Sequence, residues 1–333
     1  MIRAALRDLQ WRRKRFVIAM AGVGLVFAMS LIMTGLAASF SREVDRTLDA
    51  VGGETWAVSD QASGPFTSFN PVPVEAGGVD AEPMMVLRQT VRVAGDVIDV
   101  VVLGRSQSGA GVGVGRGQAV VDEALVGAEV GSQLSLGGLT FEITGSVSGQ
   151  RLFAGLPTVY ISLADAQQIG VRGQPLATAF LYATTPSAAP VGLRLMTRDE
   201  VKRDVLRPLE NALASIRLMK VLLWIVAATI IGSVLYLQAM ERTRDFAVFK
   251  ATGTSTAAIG AGLALQAIVL SLAAAVLAAI LAVLLAPIFP MNIEIPTTGF
   301  LLLPVVTVAV GLLASLIALR KTATVEPALA FGG

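Results

Sequence analysis

Few residues in this chain are equipped for covalent chemistry. It has no cysteine and no histidine. That removes disulfides, thiolate nucleophiles, imidazole metal ligands and an imidazole general base. Carboxylates, Lys, Tyr, Ser and Thr remain, and they do not gather. Asp122-Glu123 and the pair Asp96/Asp99 are local carboxylate clusters without metal-ligand spacing, and they read as solvated turns and strand faces. The glycine run GAGVGVGRG at 109–117 is the stretch most like a phosphate cradle. A dinucleotide fingerprint needs its third glycine three residues after the second, behind a strand and ahead of a helix. Gly111 would require glycine at 114, where Val114 stands, and no helix follows, so the run reads as a flexible loop. The pattern G-x-x-x-x-G-K-[ST] is absent, so there is no P-loop for ATP. Met29 and Met33 stand at i and i+4, and thioethers can ligate haem iron; a packing pair is the simpler reading. No catalytic constellation emerges, and the chain reads as a non-enzyme with no cofactor or metal of its own.

One polar segment does have a directed pattern. Residues 241–250 read ERTRDFAVFK, followed by Ala251-Thr252-Gly253. Helical spacing puts Phe246, Phe249 and Lys250 along one side and Arg242 and Asp245 along another. Gly253 can adopt the left-handed conformation that ends a helix. Such a short amphipathic helix either rests inertly at a lipid interface or docks its apolar anchors in a partner's groove.

The elements that must position this segment are apolar. Four stretches, 16–41, 221–240, 251–293 and 295–319, contain no Asp, Glu, Lys or Arg. About 20 apolar helical residues cross a bilayer core. With 15% of residues charged, the chain falls well short of the roughly 25% of soluble domains, so a membrane protein is expected. A net charge of +2 is too small to suggest nucleic acid. The first stretch exceeds the 7–15 apolar residues of a signal peptide, roughly speaking, and reads as a retained anchor. The third is too long for one span. Gly253, Thr254, Ser255 and Thr256 break its start, and the span is expected at 259–286, ended by Pro287 and Pro290. Gly260, Gly262 and the Ala-rich face at 273–282 allow close helix contact.

Basic residues collect on cytoplasmic flanks. Arg3, Arg7, Arg12, Arg13, Lys14 and Arg15 precede the first stretch; Arg242, Arg244 and Lys250 follow the second; Arg320 and Lys321 follow the fourth. Residues 287–299 hold Glu294 and no basic residue. The expected topology has both termini in the cytoplasm, the 42–219 block outside, and a tight outer hairpin near 290–297. Trp11 is expected at the inner interface and Trp224 at the outer one, where amphipathic rings settle. The polar atoms at membrane depth are those of residues such as Ser30, Thr34, Thr229, Ser233, Tyr236, Ser271, Thr307 and Ser315. Ion- or proton-driven transport usually needs ionisable groups there, so the driving energy is expected to enter through the inner loop.

The expected organisation is therefore a basic tail and first span at 1–41, an extracytoplasmic domain at 42–219, a second span at 220–240, a cytoplasmic helix and loop at 241–258, two spans at 259–319 and a tail at 320–333. In the polar block, 42–50 continues the first span as a helix and 60–83 reads as loop. Residues 88–93 and 97–103 form a hairpin, as do 133–136 and 140–144 around Gly137-Gly138. A strand at 159–162 leads into a helix at 163–169, and 180–183 is a further strand. Thr197-Arg198-Asp199-Glu200 matches a capping box, opening a helix that runs into the second span with a kink at Pro208. The fold class is an α-helical membrane protein with four transmembrane helices in a 1+3 layout, plus a mixed α/β extracytoplasmic domain on two helical stalks.

The segment ERTRDFAVFKATGTS resembles the one after the second span in FtsX-like ABC transporter permeases, the macrolide-exporter and lipoprotein-release type, whose pattern is roughly E-R-x-x-E-[FI]-A-x-[LF]-[KR]-A-x-G-[AT]-[ST]. Glu241, Arg242, Phe246, Ala247, Lys250, Ala251 and Gly253 agree, and Asp245 stands where Glu is usual. Val130-Gly131-Ser132-Gln133-Leu134 through Phe141, Gly145-Ser146-Val147, Val159-Tyr160-Ile161-Ser162 with Ala166-Gln167, and the tail at 323–330 with Val325 and Pro327 are similar as well. The chain looks closest to compact actinobacterial members. The resemblance implies a bacterial plasma-membrane permease working as a dimer, bound to two copies of a separate cytoplasmic ATPase that holds ATP and Mg. Glu241, Arg242, Arg244, Asp245, Phe246, Phe249, Lys250 and Gly253 would form the ATPase-docking helix. The two phenylalanines would be its anchors, with Arg242, Arg244 and Lys250 facing acidic residues. Motion relayed through stalks would export or extract a lipophilic or peptide-like substrate; the alternative is an ATPase-driven regulator of an extracytoplasmic hydrolase, contacted through 60–83.

Overall fold

The computed structural model describes residues 13–106, 113–241, 243–289 and 293–323. The chain forms two compact units, Met1–Ser39 with Ala212–Gly333, and Phe40–Asn211.

The first unit is helical. Helix α1 runs Arg13–Val51, and its residues through Ser39 belong here. Four helical stretches, Lys14–Val51, Arg198–Glu241, Thr256–Ile288 and Thr297–Leu316, are long and apolar enough to cross a membrane. Their shared core is made of Val23, Phe27 and Ile32 from the first, Ile231 and Leu235 from the second, and Ala267, Ala274 and Ala278 from the third. Small residues bring these helices together, as in membrane bundles generally. A Cβ added at Gly311 would lie 2.1 Å from Ser271 Oγ, and one at Gly24 would lie 2.9 Å from Leu277 Cδ2. The Ala-rich face expected to pack does so: Ala274, Ala275, Ala278 and Ala282 are all buried. Met29 packs against the same core.

Two readings need amendment. The third helix begins at Thr256 rather than 259, because Ser255 caps it by accepting the Ala258 N–H. Trp224, expected at the outer interface, is half-buried and donates its indole N–H to Ser30 Oγ at 3.0 Å. Gln238 and Gln266, passed over among the membrane-depth polar residues, are buried at 2% and 4% exposure. Trp11, the tails at 1–12 and 324–333, residues 290–292 of the hairpin, Arg242 and residues 109–112 of the glycine run lie outside the described residues.

The second unit is a mixed α/β domain. Its strands are β1 (Thr55–Ser59), β2 (Val72–Pro73), β3 (Ala81–Val93), β4 (Asp96–Arg105), β5 (Gln118–Asp122), β6 (Gln133–Leu136), β7 (Leu139–Val147), β8 (Arg151–Leu152), β9 (Leu156–Ser162), β10 (Leu176–Ala177), β11 (Ala179–Tyr182) and β12 (Leu193–Thr197). Helix α2 (Leu163–Val171) lies between β9 and β10, and α3 (Arg198–Leu206) follows β12. A ten-stranded sheet has the order β12-β1-β11-β3-β4-β9-β5-β7-β6, with β8 paired to β9 off this path. β6 then returns to pair Val91 and Arg92 of β3, so the strands from β3 round to β6 close into a small ring. Both expected hairpins are present. Ala94-Gly95 joins β3 to β4 and Gly137-Gly138 joins β6 to β7, each pair with positive φ, the geometry that two-residue hairpin turns require. The 60–83 segment is not all loop: it holds β2, a 3₁₀ turn at Val74–Gly77 and the start of β3.

Two cores flank the sheet. Val91, Leu134, Phe141, Ile143 and Val159 fill one beside α2. On the other, Val44, Leu48 and Val51 from the end of α1 and Val201 and Val205 from α3 pack on Trp56, Met84 and Tyr160. The capping box at Thr197 is complete, with Glu200 closing it. Past α3, a 3₁₀ turn at Arg207–Leu209 carries Pro208, and α4 (Glu210–Glu241) follows.

Candidate functional site

After Glu241 the chain forms the short helix α5 (Thr243–Ala251) before α6 (Thr256–Leu285). Thr243 Oγ1 donates to Met240 O at 2.7 Å, satisfying an end carbonyl of α4. Gly253 has φ +91, and its N–H reaches Lys250 O at 3.0 Å. A side chain is rarely tolerated there, although nothing lies within 4 Å of the Cβ position. Ala247 is wholly buried, while Asp245 and Val248 are exposed and Lys250 is half-buried. Among the described side chains of the elbow, Ala247 is the buried one. Ala239 and Ile259 pack together beside it. Glu241 is ion-paired with Arg15, which fastens the end of α4 to the start of α1. Of the expected docking residues, Glu241, Asp245 and Lys250 have interactions inside the chain. The backbone places 244, 246 and 249 on α5; Arg242 is outside the described residues.

A second polar constellation lies in the α/β unit, at the end of α1. Asp122, expected on a solvated turn, is fully buried at the end of β5. It accepts hydrogen bonds from Gln150 N at 2.7 Å and Ala124 N at 2.9 Å, and from Arg151 Nε at 3.2 Å. The solvated-turn reading fails because these three donors replace water. Arg151 Nη1 also lies 3.7 Å from Glu43 on α1. Thr47 Oγ1, one turn on, donates to Glu43 O. Beside this cluster the Tyr160 hydroxyl bonds Gln150, and burial raises the phenol well above its ordinary pKa.

The same end of α1 is tied to α3. Lys202 Nζ lies 2.6 Å from Asp45 Oδ2, Arg198 pairs with Asp49, and Arg198 Nη2 donates to Asp45 O at 3.1 Å. The Arg198 hydrogen bond lowers the Asp49 pKa. The hydroxyl and backbone of Thr197 lower that of Glu200. These contacts escaped the sequence reading, because the partners are separated by about a hundred residues or more and no local spacing announces them. The one local signal was the capping box, which fixed where α3 begins.

Asp204, also on α3 and fully buried, accepts from Phe66 N at 3.1 Å and from the Thr67 hydroxyl. The loop comes so close that a Cβ on Gly64 would lie 2.0 Å from Asp204 Cγ.

Four membrane-length apolar helices with one folded polar unit define a multi-pass membrane protein. The chain is 41% identical over 348 residues, covering all of both chains, to proteins described as uncharacterized ABC transporter permeases of Mycobacterium bovis and Mycobacterium tuberculosis. A second Mycobacterium tuberculosis permease so described is 40% identical over the same coverage. Residues 217–327 match the FtsX-like permease C-terminal family model. The extracellular domain of the noncanonic ABC-type transporter YknZ from Gram-positive bacteria aligns with 44% of this chain and 100% of that one, at 13% identity and a TM-score of 0.31. The chain belongs to the FtsX-like family of ABC transporter permeases. In such a transporter ATP hydrolysis lies in a separate ATPase subunit.

Proposed function

We propose that this permease is a mechanical relay. Its elbow, α5 with its glycine terminus, docks on the partner ATPase, and ATP-driven closure there moves the helices to which the α/β unit is joined. The observation that carries this reading is the elbow itself: a short helix seated on Ala247, closed at Gly253 and held to α1 through Glu241–Arg15. A push on α5 would reach both α4 and α1 through that attachment. In this reading Phe246 and Phe249 are the groove-filling anchors and Arg242, Arg244, Asp245 and Lys250 the polar rim. The 42–219 block is extracytoplasmic on its two helical stalks, and both termini and the elbow are cytoplasmic. The chain holds no nucleotide; ATP and Mg sit on the ATPase. Two permease copies, two ATPase copies and the surrounding lipid complete the assembly. The spans carry no Asp, Glu, Lys or Arg, which favours moving a lipophilic or peptide-like substrate outside the bilayer over conduction through a polar pore.

The test is the double variant Phe246→Asp with Phe249→Asp, co-expressed with the ATPase. Loss of co-purification, with the permease still in the membrane, is the expected result. Undiminished co-purification would overturn the docking role.

A further inference from the structure

β3 is shared by two divergent arms of the sheet. On one side it pairs with β4 over its whole length, from Met84↔Arg105 to Val93↔Asp96. On its other side, β11 covers Ala81 to Met84 and β6 covers only Val91 and Arg92. Beyond the Thr178 contact to Val86, residues 87–90 have no strand on that side, a gap of roughly 13 Å at about 3.3 Å per residue. Thr178 N donates to Met84 O, and Val86 N donates to Thr178 Oγ1, so residues 84 and 86 turn their backbone groups toward the gap. Because a strand alternates with a period of two, Arg88 and Thr90 present their N–H and C=O the same way.

A cleft of about 490 Å³ lies on this opening. Phe66, Phe69 and Pro208 wall it on one face of the sheet and Ile169 and Gly170 on the other. Its walls carry one cation, Arg88, and no carboxylate. The Arg88 guanidinium is stacked 3.6 Å above the Phe153 ring, which holds it in place. The Asp204 contacts to Phe66 and Thr67 fix the first wall, and Gly170 sits where a Cβ would strike Leu87 at 2.8 Å. Unpaired edges are normally shortened, charged or covered. This one lies inside a sheet, between two preformed apolar walls.

We propose that the opening along β3 is a docking slot for an extended acidic segment of another protein, which adds as a short strand between β11 and β6. Main-chain hydrogen bonds to Arg88 and Thr90 supply the affinity, the Ile169 wall selects apolar side chains on one face, and Arg88 selects carboxylates on the other. This is the β-augmentation mode of peptide recognition. It stands on the geometry of the α/β unit and is independent of how the ATPase docks.

The experiment uses the full chain in lipid nanodiscs and a pool of fluorescent seven-residue peptides alternating Val, Ile or Thr with Asp or Glu. Capture of pool members, with slowed hydrogen exchange at the Arg88 and Thr90 amides, is the expected result. Replacing the acidic residues with Lys, N-methylating the edge-facing peptide nitrogens, or substituting Arg88→Glu should each weaken binding about tenfold or more. The methylated peptide leaves the protein unaltered, so that arm stands even if the variant folds poorly. No capture from the pool, or equal affinity for methylated and unmethylated peptides, would overturn the proposal. So would protection of those amides that grows with protein concentration alone, which would assign the slot to a second copy of this chain.

Discussion

Lys202 Nζ on α3 stands 2.6 Å from Asp45 Oδ2 on α1, joining helices whose residues are separated by 157 positions. The Arg198 contacts to Asp49 and to Asp45 O lie one turn away. Within the α/β unit, the end of the first long helix and the helix leading into the second are thus laced together. Under the relay reading, a displacement entering along one reaches the other without a flexible joint.

The lacing gives a prediction with a bounded size. Exposed ion pairs are each worth about 0–1 kcal/mol, and Asp49 is 64% exposed. Asp45→Ala should therefore shift the melting temperature only slightly. Asp45→Lys should cost more through repulsion with Lys202, and adding Lys202→Asp should recover most of that loss. Thermal melts of the wild type, Asp45→Lys, Lys202→Asp and the double variant form the double-mutant cycle, and a coupling energy near zero would remove the latch.

Acid should loosen the same end of the domain. The Asp49 and Glu200 carboxyls both titrate below their ordinary values in the folded chain. Their stabilising contribution is present in full above the ordinary carboxylate range of about 4 and is lost as pH falls through the depressed folded values. Stability measured from pH 6 downward should hold to about pH 4 and then fall. Asp49→Asn with Glu200→Gln should flatten that fall, and an unchanged acid limb in the double variant would refute the assignment.

Asp122 makes a harsher prediction. Removing one member of a buried charge pair costs about 3–5 kcal/mol, and Asp122→Ala would also leave the part-buried Gln150 N–H without its acceptor. We expect the variant to unfold at a markedly lower temperature. Glu43→Gln, which leaves the Asp122 contacts intact, should cost far less. Equal losses from the two would mean that Glu43, rather than Asp122, anchors Arg151.

Asp204→Ala leaves the Phe66 N–H and the Thr67 hydroxyl without their carboxylate, at about 1–3 kcal/mol. Gly64→Ala, which drives a methyl into Asp204, should reach a similar loss by steric means. Proteolysis at 63–69 should rise in both variants, and an unchanged cleavage rate would show that other contacts hold the loop.

Gly253→Val tests the elbow's terminus. A β-branched residue at φ +91 is strained by about 1–2 kcal/mol, and open space around the site means that no clash adds to this. The permease should remain folded while its stimulation of the ATPase drops severalfold. Full stimulation would show that the left-handed terminus is dispensable.

Much of the fold was legible locally. Charge-free runs marked the four long helices, because a bilayer-length apolar stretch can be read without knowing its neighbours. Ala94-Gly95 and Gly137-Gly138 marked both hairpins, since a two-residue turn writes its dihedral demand into its own residues. Thr197 with Glu200 marked the start of α3 for the same reason. The strands at 55–59, 118–122 and 193–197 were not foreseen. The first of these is buried along its whole length and has no alternation to read. The elbow was legible as a helix with a glycine end, but its seating on Ala247 and the Arg15 pair to Glu241 were not.

The sequence by itself determined the division into apolar helices and one polar block, the absence of cysteine and histidine chemistry, and the position of the elbow. These are properties of composition and of spacings under about five residues. Only the tertiary structure decided that Asp122 is buried rather than solvated, that Trp224 bonds Ser30, that Asp45 and Lys202 meet, and that β3 carries an open edge between two strands. Each of these is a pairing of residues far apart in the chain. Its energy depends on which groups lose water together, and a linear sequence does not record that.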